Sequence, residues 1–147
     1  MDLIKGVESK VLKYNMDDRG GLMEIVRNDD SFFEKFGQTY ISNTRPCVVK
    51  AFHMHKIQTD LFVCLKGEIR LVLFNTEGEI NEFFMGERNP LLVKIPPNIY
   101  HGWKCISAEE SMVLNVCSEV YNYDKPDEYR VRPHGYVTGF TWDTIDR

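Results

Sequence analysis

The sequence predicts an all-β fold of the jelly-roll type with one short helix, and three observations predict it. Several segments alternate apolar and polar residues with a period of two, the mark of strands with one face buried. Turn signals separate those segments: DDRGG, TRP, NTEGE, GERNP, PPN and SAEES. Only one segment carries helical spacing, and many short strands with a single short helix suggest two packed sheets whose interior can hold a ligand.

Taken in order, DDSFFEKFG is the predicted helix: an Asp cap precedes Phe32, Phe33 and Phe36, and Gly37 is placed to end it. Strands are predicted from Gln38 to Asn43 and from Cys47 to His55. The clearest stretch is LFVCLKGEIRLVLFN, where Leu61, Val63 and Leu65 precede a turn or bulge at Gly67, and Ile69, Leu71 and Leu73 continue on one face. Further strands are predicted from Leu91 to Ile95 and from Met112 to Val120. Beyond Tyr121 the chain is rich in Tyr, Pro and charge and reads as an irregular flap. No linker, repeat or low-complexity tract interrupts the pattern, so residues 1–147 are expected to form one domain.

Composition narrows the function. A formal net charge of −4 argues against nucleic acid, because binding a phosphate backbone needs a basic face. No apolar run approaches the roughly 18 residues that span a bilayer, and the N-terminus has no signal-like apolar region. No membrane association and a cytoplasmic location are therefore expected. Cys47, Cys64, Cys105 and Cys117 form no CxxC pair and are expected to be reduced.

The chemistry gathers on histidines. Because strand side chains alternate, His53 and His55 in AFHMHKIQTD share a face. Asp60 follows after a short turn, and His101 arrives in IPPNIYHGW after Pro96 and Pro97. The spacing H-x-H-x4-D-x6-G from His53 to Gly67 resembles the first cupin motif, with Asp where Glu is usual. Pro96-x-Asn98-x-x-His101 resembles the second. The resemblance implies a cupin-type jelly roll, the double-stranded β-helix. In metal-binding cupins the matching positions hold a divalent ion, and imidazole with carboxylate suits iron, manganese, zinc or nickel. His53, His55, Asp60 and His101 are thus an alternative metal-ligand set, and these residues alone leave a metal and a metal-free pocket both open.

A closer resemblance covers roughly residues 15 to 133: the chain is similar to the dTDP-4-dehydrorhamnose 3,5-epimerase family, cupin-fold sugar-nucleotide enzymes that use no metal. DDRGGLMEI resembles the family's nucleotide-contacting segment, which implies that role for Arg19 and Glu24. FGQTYIS keeps Gln38 and Ser42 of a family strand, with Tyr40 replacing an Asn. VVKAFHMH places Lys50 where a phosphate-binding Arg is expected and His53 where the catalytic base sits. IPPNIYHGW makes His101 a pocket residue, and VLNVCSEVYNYDKP makes Tyr121 the proton-returning acid, with Tyr123 second.

The resemblance implies an epimerase or isomerase of a dTDP-linked 4-keto-6-deoxy sugar, working in deoxysugar or cell-surface polysaccharide biosynthesis without a cofactor. A ketone acidifies the neighbouring C–H bonds, so a base and an acid can invert a centre through an enolate. It also implies a homodimer. Three departures bear on the chemistry: Asp60 stands for a Lys, His55 stands for a Gln, and the late Asp that orients the base has no clear counterpart near Pro133 and His134. His55 and Asp60 are accordingly expected to contact substrate. A metal-dependent cupin enzyme and a non-catalytic sugar-nucleotide binding cupin are the alternatives.

Overall fold

The computed structural model describes residues 2–146. In chain order its strands are β1 (Glu8–Val11), β2 (Tyr14–Asp17), β3 (Gly20–Met23), β4 (Gln38–Thr44), β5 (Val49–Met54), β6 (Asp60–Lys66), β7 (Glu68–Phe74), β8 (Ile80–Gly86), β9 (Leu91–Ile95), β10 (Tyr100–Cys105), β11 (Ser111–Cys117) and β12 (Tyr129–Arg130). They form two five-stranded antiparallel sheets, ordered β1-β9-β6-β11-β4 and β12-β5-β10-β7-β8, and a separate β2-β3 hairpin. This is the jelly roll that the period-two segments predict. Among the described residues no helix is long and apolar enough to cross a membrane.

The core lies between the sheets and contains Phe62, Cys64, Ile69, Leu71, Leu73, Val93, Ile95, Trp103 and Val113. Gly67, at φ 67°, carries the chain from β6 in the first sheet to β7 in the second. A side chain there would enter the left-handed region that glycine tolerates. Because of this bend, Leu61, Val63 and Leu65 do not continue the face of Ile69, Leu71 and Leu73, as the sequence suggests. They lie on the opposite side of β6, in a second cluster with Leu12, Phe32 and Leu92.

The predicted helix is absent: residues 28–32 make turns, and residues 33–37 are irregular. The Asp30 carboxylate does accept the Phe32 amide, at 3.0 Å, but the same carboxylate is claimed by Lys10. Phe32 is buried in the second cluster while Phe36 stays 62% exposed, so the three Phe residues do not line one buried face. A single turn without such a face does not repay the cost of helix nucleation. Gly37 is not a helix cap. Its amide bonds the Cys117 carbonyl at 2.8 Å, and a Cβ there would fall 2.2 Å from the backbone of Glu119.

The C-terminal tail is largely irregular, as expected, but it is anchored. Trp142 is buried with Phe52, Val72 and Phe74 against the second sheet, and Arg70 donates to the carbonyls of Thr141 and Asp143. Cys64, Cys105 and Cys117 are buried free thiols, and Cys47 is an exposed one.

Candidate active site

Strand pairing assembles the site. His53 on β5 and His101 on β10 are register partners, and their ring centroids lie 4.1 Å apart. His55, just past the end of β5, sits 5.3 Å from the His53 ring and 5.6 Å from the His101 ring. Asp60 opens β6 in the other sheet, so the ends of both sheets meet here. One ligand atom from each of His53, His55, Asp60 and His101 lies within 4.8 Å of the others.

Asp60 is fully buried and its two oxygens are used differently. Oδ1 accepts from Gln58 Nε2 at 2.7 Å and from Asn115 Nδ2 at 2.8 Å. Oδ2 faces His55 Nε2 at 3.3 Å and His101 Nε2 at 3.2 Å. Burial opposes its charge, but His101 and His55 outweigh that and hold the carboxyl well below the usual carboxylate range.

The imidazole tautomers follow from the opposite ring nitrogens. His101 Nδ1 donates to the Ile99 carbonyl at 3.0 Å, and His55 Nδ1 donates to the Asp127 carbonyl at 2.5 Å. A carbonyl cannot donate, so each Nδ1 carries a proton and each Nε2 is left facing Asp60. Two Nε2 lone pairs and a carboxylate oxygen repel one another unless positive charge lies between them. Asp60 Oδ2 and His101 Nε2 are in fact without a well-aligned hydrogen-bond partner. A shared proton or a metal ion between them would relieve that repulsion.

Burial opposes charge on His55, but Asp60, then the carbonyl and carboxylate of Asp127, push its pKa above the ordinary value. His53 is different. Burial first, then the neighbouring His101 and His55, push it down to about 2, and its ring has no hydrogen-bond partner among the described residues. His53 is therefore a neutral, uncommitted imidazole beside a site that favours charge. Among the described residues no carboxylate bonds it.

A cleft of about 570 Å³ is lined by His55, Gln58 and the segment 119–129, including Tyr121 and Asp127. The Tyr121 amide bonds Gln38 Oε1 at 3.1 Å, which fixes the start of that wall to β4. Tyr123 touches the Tyr121 ring at 5.0 Å and is 88% exposed. Other sequence-predicted residues lie apart from the cluster. Lys50 is exposed and donates to Ser42 Oγ at 2.9 Å and to the Asn43 carbonyl at 2.5 Å. Arg19 is bound to Asp17 in the β2-β3 hairpin, and Glu24 lies 3.7 Å from Arg27.

Three contributors escape sequence reasoning: Gln58, Asn115 and Asp127. Asn115 leaves a trace, being a polar residue at a buried position of the otherwise apolar VLNVC. Gln58 and Asp127 sit among other polar residues and leave none.

Comparison with known proteins follows the same lines. The chain is 37% identical to the spore coat polysaccharide biosynthesis protein SpsL of Bacillus subtilis, over 97% of this chain and 98% of that one. It is 38% identical to the "Probable low-salt glycan biosynthesis epimerase Agl13" of Haloferax volcanii, over 89% of each. The crystal structure of a dTDP sugar isomerase from Desulfovibrio desulfuricans superposes with a TM-score of 0.88 at 25% identity, covering 97% of this chain and 94% of that one. The family model described as polysaccharide biosynthesis C-terminal domain matches residues 15–129, and the chain belongs to that family.

Proposed function

We propose that the protein is a sugar-nucleotide epimerase or isomerase acting on a dTDP-linked 4-keto-6-deoxy sugar by moving a proton next to the ketone. The observation that carries this reading is His53, without a hydrogen bond among the described residues and packed against His101 and His55, whose Nε2 atoms face the buried Asp60 carboxylate. His53 takes the proton from the carbon beside the ketone, and the C–H electron pair moves onto the carbonyl oxygen as an enolate. The family's lost Lys is replaced by other means. Asp60 pushes His55 towards its charged form, and an imidazolium steadies an enolate as an ammonium would. Enolate charge in turn strengthens His53 as a base while the proton transfers. Tyr121, on the cleft wall, returns a proton to the carbon as the ketone re-forms and regains one from solvent, while His53 gives its proton up to solvent.

Arg19, Glu24, Gln38, Lys50 and Tyr123 are read as nucleotide-sugar contacts on the family resemblance, and the exposed apolar residues Met16, Leu22 and Ile41 favour a homodimer. A nucleotide-sugar substrate makes the protein a cytoplasmic enzyme. The test is incubation with such a ketosugar in deuterated water. Deuterium is expected at C3 or C5, and its entry should be lost in His53→Ala. Absence of deuterium at both carbons with the unaltered protein would sink the reading.

A second reading is favoured by the two carbonyl-anchored imidazoles whose Nε2 atoms converge on Asp60 Oδ2. His53, His55, Asp60 and His101 fit a divalent ion in donor type and spacing. When bound, the ion would supply Lewis acidity towards a ketone oxygen. Elemental analysis of purified protein separates the readings: one ion per chain, lost in His53→Ala, supports the metal site, and substoichiometric metal that survives the substitution removes it.

A further inference from the structure

The geometry points to Asp127 as the positioning residue of this site, holding His55 in one orientation and tying it to the cleft wall. Its carboxylate closes the turn after β5: Oδ1 accepts the Lys56 amide at 2.9 Å, and Oδ2 accepts the Ile57 amide at 2.9 Å and the Gln58 amide at 3.2 Å. Three successive amides on one carboxylate form an anion nest supplied by the chain itself. The Asp127 carbonyl accepts from His55 Nδ1. One residue thus fixes both the backbone that carries His55 and the ring itself.

The consequence runs in two directions. With Nδ1 committed, His55 Nε2 meets Asp60 Oδ2 and lies 3.3 Å from Gln58 Nε2, so the tautomer is set from outside the cluster. Gln58, whose amide Asp127 also holds, carries the same constraint to Asp60 Oδ1. In the other direction, Asp127 belongs to the segment that walls the cleft. That segment is joined to the same turn by Lys56 lying 4.5 Å from the Tyr129 ring, and to β5 by the pairs Tyr129 with Met54 and Arg130 with His53. Asp127 therefore adds to these links the one that reaches the histidine ring itself.

The role of Asp127 in turnover rests on the epimerase reading, but its hold on His55 can be measured without any substrate. In nitrogen-edited NMR spectra of the full chain, the His55 Nδ1 proton is expected as a protected ring N–H signal. Asp127→Ala keeps the carbonyl that accepts the proton but releases the turn that carries His55, so that signal should exchange away while the His101 Nδ1 signal, held by Ile99, remains. Asp127→Asn keeps one side-chain oxygen for the amides and should give an intermediate loss. Glu128→Gln, next in the chain, should leave the signal unchanged.

In the deuterium-exchange assay, Asp127→Ala should lower kcat by roughly 10- to 100-fold, the range seen when a supporting hydrogen bond is removed. KM should change less. A His55 signal that persists in Asp127→Ala overturns the proposal, whether or not turnover falls. A lost signal with full turnover overturns the positioning role. If the unaltered protein exchanges no deuterium, the epimerase reading fails, and the ring N–H result alone decides whether Asp127 holds His55. Loss of both histidine signals would mean a collapsed fold rather than a freed ring, and it too counts against the proposal.

Discussion

Asp60 is the residue on which the rest of the cluster depends, and two substitutions of it should behave differently. Asp60→Ala takes one buried acceptor from each of the Gln58 and Asn115 side-chain amides, leaving Asn115 only the Tyr40 hydroxyl and Gln58 only His55 Nε2. Removing one partner of a buried network costs about 3 kcal/mol, to be read from urea denaturation. Asp60→Asn keeps an oxygen for those amides, and its own amide can donate to the two Nε2 lone pairs. Its cost is expected to stay within about 1 kcal/mol, although the site loses its negative charge. Equal losses for both substitutions would show that the network is not wired as described. Residue types and spacings made the four-residue cluster legible in the sequence. Their partners were not legible, because Gln58 and Asp127 are polar residues in polar stretches whose side chains reach the cluster only in the fold. Only folding brings residue 127 to residues 55–58.

Strands were legible where one face is buried and the other wet. The segments Gln38 to Asn43 and Leu91 to Ile95 coincide closely with β4 and β9. Not anticipated were β1, β2, β3 and β12, which are largely exposed, and β8 and β10; the predicted helix failed although Asp30 still caps Phe32, because no buried face supports it. That cap offers a pH test. The pKa of Asp30 lies below its ordinary 3.8, through the bond from Lys10 first and the Phe32 amide second. Its contribution is complete above 3.8 and fades as pH falls through the lower folded value. Asp30→Asn should therefore cost about 1 kcal/mol near neutrality and converge on the unaltered protein in acid below that value. A difference that persists at low pH would mean that the ion pair is not its source.

β10 supplies the sharper element-scale test. At the irregularity between His101 and Trp103, a Cβ on Gly102 would fall 2.3 Å from Ala51 Cβ and 2.8 Å from the Lys50 carbonyl. Gly102→Ala must push β5 away from β10, at a cost of about 1–3 kcal/mol. It should also separate His53 from His101, so deuterium exchange is expected to fall more than stability alone explains. An active, fully stable Gly102→Ala protein would contradict the close approach.

At the scale of the whole molecule, the period-two pattern gave the all-β class and the motif spacing gave the cupin architecture. What the pattern could not convey was that β6 and β7 leave Gly67 for different sheets, since alternation records burial and not the identity of the covering layer. A single chain also leaves apolar surface open: Ile41 on the edge strand β4 is 55% exposed, and Met16 and Leu22 on the hairpin are 78% and 62% exposed. Sedimentation is expected to show a homodimer, with Ile41→Lys shifting it towards monomer by burying a charge at the contact. A monomeric unaltered protein at micromolar concentration would remove this expectation.

The histidine pair and the neighbouring cleft are held differently. His53 and His101 are fastened by β5 and β10, whereas the cleft residues Glu119, Val120, Asn122 and Lys125 lie on irregular chain that no strand pairing constrains. Mutational drift can therefore act unequally on the two sides. Substitutions at those four positions are free to change which sugar is admitted while the proton-handling groups stay in place, so new specificities in this family should arise first between residues 119 and 125.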